Sequence, residues 1–284
     1  MMPASFEYAR AASVAEAIAL LHKHGADAKL LAGGHSLVPM MKLRLARPSV
    51  LIDIGRLREL AGIKHEGGRF TIGALTTHAA LAASKELEKR APALWDAANQ
   101  LGDPQVRNRG TIGGACAHAD PSADYPAVML ALDARLHVEG QKGKREIPAD
   151  KFFVGTFETA LGDGDILTAI SFADAPNSAY AKFHSPASHY AVVGVAVSLT
   201  LKSGAIAASR LAVTGVGDIA FRATAAEKAL IGGKADDAEA GRRACSGMAS
   251  GVEVRGDTFA SGDYRKAMTE VFAARAIRIA LKRA

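Results

Sequence analysis

The chain has 284 residues, 49% of them hydrophobic and 23% charged, a balance that excludes intrinsic disorder and gives ample material for a buried core. Thirty-five Lys and Arg against 29 Asp and Glu leave a formal charge of +6, too small and too dispersed an excess to indicate nucleic-acid binding. Two cysteines, Cys116 and Cys245, exclude a disulfide scaffold, a four-thiolate zinc site and a self-contained iron–sulfur cluster.

The first element is announced by Ser13-Val14-Ala15-Glu16, a capping box that starts a helix running through Leu21 to Gly25. Strands are expected at Lys29–Ala32, Val50–Ile54 and Arg69–Ile72, and helices at Thr77–Leu81 and Pro92–Leu101. The stretch Asp103–Ala123, rich in Gly, Asp, Asn and Pro, reads as a long polar loop, and loops of that length in compact domains tend to be functional. A helix at Tyr125–Leu132 and strands at Arg135–Glu139 and Asp165–Phe172 follow. The composition changes at Asp174–Ser178, the expected domain boundary. Beyond it, Ala191–Lys202 and Ala205–Val216 read as paired strands joined at Ser203-Gly204. Helices are then expected at Ala223–Leu230, Ala235–Met248 and over a basic C-terminal segment. That last helix is expected to put Tyr264, Met268, Val271, Phe272 and Ile279 on its buried face with Arg275, Arg278 and Lys282 largely off it, the basic cluster from Arg265 to Arg283 reading as a solvated face or as a docking surface for an acidic partner or anion. Strands and helices interleave without a regular βαβ period, so the class is α+β. The longest stretch free of charge, Phe183–Leu201, contains one Pro, two His and three Ser and is a poor membrane span. With no secretory-type start, the expected location is cytoplasmic.

Two glycine turns carry the chemistry. Leu30-Leu31-Ala32-Gly33-Gly34-His35-Ser36-Leu37 follows a strand and offers consecutive backbone amides through two residues without a Cβ, a turn able to approach a pyrophosphate closely. About eighty residues on, the stretch from Thr111-Ile112-Gly113-Gly114-Ala115 through Asp124 precedes a helix and offers amides and a hydroxyl to an anion. Neither G-x-G-x-x-G after a strand nor G-x-x-x-x-G-K-[ST] is present, which disfavours a nicotinamide-type Rossmann domain and a P-loop. Gly67-Gly68 and Gly232-Gly233 read as plain turns.

Ala32–Ser36 with its continuation Leu37–Arg44, Thr71–His78, Thr111–Gly114 with His118–Pro121 and Asp124, and Pro186–Gly194 together resemble the FAD-binding medium subunit of the molybdenum hydroxylases. This is the carbon monoxide dehydrogenase and xanthine dehydrogenase family, and the likeness spans nearly the whole chain. It implies a two-subdomain FAD-binding domain of the vanillyl-alcohol-oxidase type over residues 1–175 (subdomains about 1–57 and 58–175), then a smaller α+β domain over 178–284. It also implies roles. Leu30, Leu31, Ala32, Gly33, Gly34, His35, Ser36 and Leu37 would cradle the FAD diphosphate. Thr111, Gly113, Gly114 and the position of Ala115 would meet the flavin and its linker, and Asp124 would hold a cofactor hydroxyl. Leu101 and Leu167 match apolar flavin-packing positions, Lys182 a basic one, and Tyr190 a neighbour of the ring system. The family usually has Asn where this chain has Ala115, so a side-chain amide contact there is lost.

Several of these residues also have ordinary explanations. His35 can be a turn residue; in another flavin family a His in such a turn is bonded covalently to the cofactor, but the flanking residues here match the non-covalent family. His78 reads as a helix-start residue, Asp120 or Ser122 as a cap for the helix after Pro121, and Cys116 as a small buried filler. The resemblance implies no catalytic base and no metal in this chain, a small partner with [2Fe–2S] clusters and a large partner with molybdopterin, assembled as a dimer of heterotrimers. A self-sufficient flavin oxidase of a small alcohol or amine and a cofactor-free interaction module are the other readings.

Overall fold

The computed structural model describes residues 2–234 and 238–283. Three larger sheets and a two-stranded one organise the described residues. The first body holds β1 (Glu7–Arg10), α1 (Val14–His24), β2 (Ala28–Leu31), α2 (Leu37–Lys42) and β3 (Val50–Asp53). Its strands lie in the order β1-β3-β2, all parallel. α1 forms as the capping box requires: Ser13 Oγ accepts from the Glu16 amide at 3.1 Å, and Glu16 Oε2 accepts in return, from Ala12 rather than from Ser13. β1, with only Ala9 turned partly inward, is too short and too exposed to show an apolar pattern.

The second body runs from β4 (Ile63–Glu66) and β5 (Arg69–Gly73) through α3 (His78–Ala83), α4 (Lys85–Arg90), α5 (Pro92–Asn99), α6 (Pro104–Arg109), α7 (Ile112–His118) and α8 (Tyr125–Ala131). It continues with β6 (Arg135–Gly140), β7 (Gly143–Pro148), α9 (Ala149–Phe152), β8 (Phe153–Gly155), β9 (Glu158–Thr159) and β10 (Ile166–Ala173). Five strands pair antiparallel in the order β4-β5-β10-β6-β7. The Asp103–Ala123 stretch is not the continuous loop its composition suggests. Asp103 caps α6, accepting from the Val106 amide at 2.8 Å with Pro104 in the first turn, and Thr111 caps α7, accepting from the Gly114 amide at 3.1 Å.

The third body comprises β11 (Ser178–His184), β12 (Ala191–Lys202), β13 (Ala205–Thr214), β14 (Phe221–Arg222), α10 (Thr224–Leu230), α11 (Ala238–Ala244) and α12 (Gly262–Leu281). Its four strands are antiparallel in chain order. The sheet is covered on both faces. Ala179, Val193, Val195, Val197, Leu211 and Val213 point to a core shared with Phe272, Ala273, Ala276 and Ile277 of α12. Tyr180, Ala196 and Ala212 point instead into the core of the second body. This double burial explains why Ala191–Val197 is a nearly unbroken apolar run rather than a strict alternation. The helix expected over Ala235–Met248 begins outside the described residues; its described part is helical over Ala238–Ala244.

α12 buries a stripe that overlaps the expected one only in part: Phe272 is buried and Met268 and Ile279 pack partly buried against the same core. Arg265, Thr269, Phe272, Ala273, Ala276, Ile277 and Ala280 face inward, while Tyr264 and Val271 are exposed. Small side chains let the helix sit close to the sheet. Nor are its cations one solvated face: Arg265 is buried and donates to the carbonyls of Val192 and Gly215, each at 2.6 Å, and to Asp257. Arg283 forms a two-pronged ion pair with Asp96 at 2.7 and 2.8 Å. No described helix is long and apolar enough to cross a membrane.

Candidate cofactor site

The parallel strands β2 and β3 end side by side, with the Ile54 amide donating to the Leu31 carbonyl at 3.0 Å. Crevices at the carboxyl ends of parallel strands are where ligands bind in open sheets. Here the crevice is a cleft of about 400 Å³ lined by Leu31, Ala32, Gly33, Gly34, His35, Val38, Asp53, Gly55, Arg56 and Arg109. The first glycine turn forms one wall. Its amides from Gly33 through Leu37 have no hydrogen-bond partner among the described residues; the first amide to re-enter the backbone network is that of Val38, which donates to Gly34 O at 3.0 Å. Five consecutive unsatisfied donors beside a concave surface are a demand for an anion or water. Gly34 has φ +76°, where a side chain would be strained. His35 is exposed, its Nδ1 lying 3.1 Å from Gly33 O.

Gly33 is also where the two halves of the site meet. A Cβ there would collide with the Arg109 carbonyl oxygen and lie 2.9 Å from the Gly110 Cα. Gly33→Ala is therefore expected to cost about 1–3 kcal/mol of stability, because backbone rather than a flexible side chain must yield, and to lower retained cofactor. Denaturant unfolding and cofactor content measured on the purified variant check this; wild-type values for both would rule the contact out as a constraint.

The second glycine turn is built differently. The amides of Ile112 and Gly113 donate to the carbonyls of Thr76 (3.0 Å) and Ala74 (2.8 Å), that of Gly114 to Thr111 Oγ1 and that of Ala115 to Thr111 O (3.0 Å). No amide of Ile112–Ala115 is left over for an anion, contrary to the expectation that both turns present free donors. Gly113 is instead a packing glycine: a Cβ would lie 2.7 Å from Ala74 O and 2.8 Å from Ala74 Cα. Gly114 is exposed and Ala115 half-buried, so this turn offers a smooth backbone surface, while Thr111 is buried with its Oγ1 accepting from the Gly114 amide. Leu167, buried in β10, is brought close through Ala74, whose amide donates to Thr168 O at 2.9 Å.

A third group lies between the second and third bodies. Asp124 is buried, accepting from Tyr180 Oη at 2.5 Å and Lys182 Nζ at 2.9 Å. Burial pushes the Asp124 carboxyl above its ordinary value, partly offset by the Lys182 charge. Lys182 also donates to Gln100 O at 3.2 Å, which places half-buried Leu101 beside the pair. Gly194 makes the arrangement possible, since any side chain there would occupy the space of the Tyr180 hydroxyl. Tyr190 is 44% exposed; the next residue, Ala191, donates to Ser122 O at 3.2 Å. Asp120 does not cap the helix after Pro121: its Oδ1 accepts from the Ser122 amide at 2.8 Å, and Asp124 occupies the α8 cap position without a capping bond. Cys116 is fully buried, its thiol pushed up to about 12 by burial, a packing residue rather than a reactive one.

The cleft thus gathers Leu31 to His35 of the expected residues, with Leu30, Ser36 and Leu37 adjoining it in sequence. Thr111 to Ala115, Asp124, Lys182, Leu101, Leu167 and Tyr190 lie outside its lining, along the seam with the other two sheets. Sequence reasoning passed over Asp53, Gly55, Arg56 and Arg109. The last two carried a signal, a cation just after a strand and another just before a glycine turn.

The family description "FAD binding domain in molybdopterin dehydrogenase" matches residues 4–173, and "CO dehydrogenase flavoprotein C-terminal domain" matches residues 178–280. The chain belongs to the flavoprotein subunits of the molybdenum hydroxylases. It is 42% identical to the carbon monoxide dehydrogenase medium chain of Hydrogenophaga pseudoflava, with 100% of this chain and 99% of that one covered. It is 36% identical to the glyceraldehyde dehydrogenase medium chain of Sulfolobus acidocaldarius, covering 98% and 99%. The solved carbon monoxide dehydrogenase of H. pseudoflava that lacks the Mo-pyranopterin moiety contains a chain with TM-score 0.95 and 43% identity, covered completely in both directions. Medium chains are parts of multi-subunit oxidoreductases, which sets aside the readings as a self-sufficient oxidase or a cofactor-free module. The donor set fits FAD: a turn with unsatisfied amides and two arginines line the cleft, and smooth glycine backbone and apolar side chains line the seam beyond.

Proposed function

We propose that the chain carries FAD as the electron outlet of a molybdenum hydroxylase. Electrons would arrive from [2Fe–2S] clusters on a small partner subunit and leave to NAD+, a quinone or oxygen. The organic substrate would react on a large, molybdopterin-bearing partner, in a cytoplasmic dimer of heterotrimers. FAD supplies the ability to hold one electron or two, and the protein binds, orients and shields it.

In this reading residues 1–175 form the cofactor domain, in subdomains of about 1–57 and 58–175, and 178–284 the C-terminal domain. Leu30 to Leu37 cradle the diphosphate, the donors being the free amides of Gly33 to Leu37. Thr111, Gly113, Gly114 and Ala115 pack against the flavin and its linker. Asp124, held in place by Lys182 and Tyr180, accepts from a cofactor hydroxyl; Leu101, Leu167 and Tyr190 flank the ring system. The observation that carries the reading is the run of five unpartnered amides, Gly33 to Leu37, at the carboxyl edge of the parallel sheet. Purification from the native host, followed by the visible spectrum and identification of co-purifying chains, tests it. A yellow complex with a cysteine-rich small chain and a large chain is expected. A colourless chain that neither takes up FAD nor brings partners would refute it.

A further inference from the structure

Two arginines from different bodies line the cleft beside the first glycine turn. Arg56 stands just beyond β3 in the first body, and Arg109 ends α6 in the second. Both line the cleft together with Gly33, Gly34 and His35. Neither has an acidic partner among the described residues. The carboxylate that lines the same cleft, Asp53, is already occupied, accepting from Tyr8 Oη at 2.5 Å and from the Gly55 amide at 2.7 Å. That leaves two exposed arginines with no acidic partner among the described residues at one concave space, beside a turn with five free amides. Like charges sharing a cleft raise its positive potential and concentrate anions there. Guanidinium, with its planar fork of donors, suits phosphate oxygens better than an ammonium does.

We infer that Arg56 and Arg109 form a clamp on the diphosphate of the cofactor, so that the adenosine diphosphate half of FAD anchors it and ties the first body to the second. This assignment rests on FAD being the ligand of the cleft. The charges match: a diphosphate linkage carries two negative charges, and the clamp supplies two positive ones. The turn amides satisfy oxygens but bring no net charge, so the arginines are what neutralises the anion. A nucleoside diphosphate without any flavin is accordingly a ligand of this chain, with an affinity that falls as salt rises.

The test is titration calorimetry of the full-length chain freed of flavin, with ADP and with FAD, at two ionic strengths. Wild type, Arg56→Gln, Arg109→Gln and the double variant are compared. ADP is expected to bind wild type, and each substitution to weaken both ADP and FAD about tenfold, the effect of one lost charge-assisted hydrogen bond. The salt dependence of ADP binding should be shallower in each variant than in wild type. Wild type that binds FAD but not ADP overturns the clamp, as do variants that bind both ligands like wild type. Should a glutamine variant fail to fold by circular dichroism, ADP binding to wild type that is indifferent to salt overturns it equally. Wild type that binds no FAD would overturn the FAD reading itself, a result distinct from all of these.

Discussion

Lys182→Met is expected to destabilise the chain by about 3–5 kcal/mol at neutral pH, the usual cost of stripping one partner from a buried ion pair. The Lys182 side chain is 1% exposed and the Asp124 side chain 5%. With the ammonium gone, only the Tyr180 hydroxyl would face a carboxylate that burial already disfavours as an anion. Asp124 has its pKa raised in the folded state, so its contribution to stability is fully present below the unfolded value of 3.8 and is lost as pH rises through the folded one. Removing Lys182 raises the folded pKa further. The deficit of the variant should therefore shrink as pH falls toward 3.8, and Lys182→Met combined with Asp124→Asn should recover much of it at pH 7. Denaturant unfolding of the three proteins across this range decides the matter. A deficit that stays constant with pH and survives the second substitution would mean that Lys182 matters through packing alone.

Acid should loosen the second glycine turn through His78. This imidazole is buried at the start of α3, shares a hydrogen bond with Tyr125 Oη at 2.9 Å and lies directly beneath Gly110. Burial first, then the nearby charges of His35 and Arg107, lowers its pKa from 6.5 to about 4. A histidine held neutral in the fold but free to take a proton when unfolded gives stability that is complete above pH 6.5. That stability is lost as pH falls toward 4. The full span is worth about 3 kcal/mol. His78→Asn keeps an acceptor for Tyr125 and cannot titrate, so the stability gap between wild type and variant should narrow by about that amount on acidification. Parallel pH–stability curves would show that His78 is already protonated in the fold or reached by water.

Much of this site was legible before any coordinates. The first turn could be read because its chemistry is local: a strand, two residues without a Cβ and a hydroxyl stand next to one another, and the amides of Gly33 to Leu37 do remain free. The second turn looked equivalent on the page and is not. Two of its amides, those of Gly114 and Ala115, are consumed locally by Thr111 as the helix cap, but those of Ile112 and Gly113 go to carbonyls of Thr76 and Ala74, residues more than thirty positions away, and no local pattern reports such partners. The two short helices of the Asp103–Ala123 stretch were hidden by composition, although Asp103-Pro104 and Thr111 carried ordinary cap signals. Arg265 and Arg283 were misjudged for a related reason. A helical wheel counts a cation as outward, but Arg265 finds two carbonyls and Asp257, and Arg283 finds Asp96, across the fold. Asp124 and Lys182 were reached only through family likeness and Tyr180 was passed over, because Asp124 sits more than fifty residues from both and the three meet where Gly194 leaves room.

Hydrogen exchange of the full-length chain, measured residue by residue with and without FAD, tests the central claim most directly. In the free protein the amides of Gly33 to Leu37 should exchange fast, while those of Ile112 to Ala115 are already protected. Saturating FAD should slow the first set strongly and change the second little. Loop amides that exchange at the same rate with FAD bound would contradict the account, because the cofactor would then sit somewhere other than on the first glycine turn.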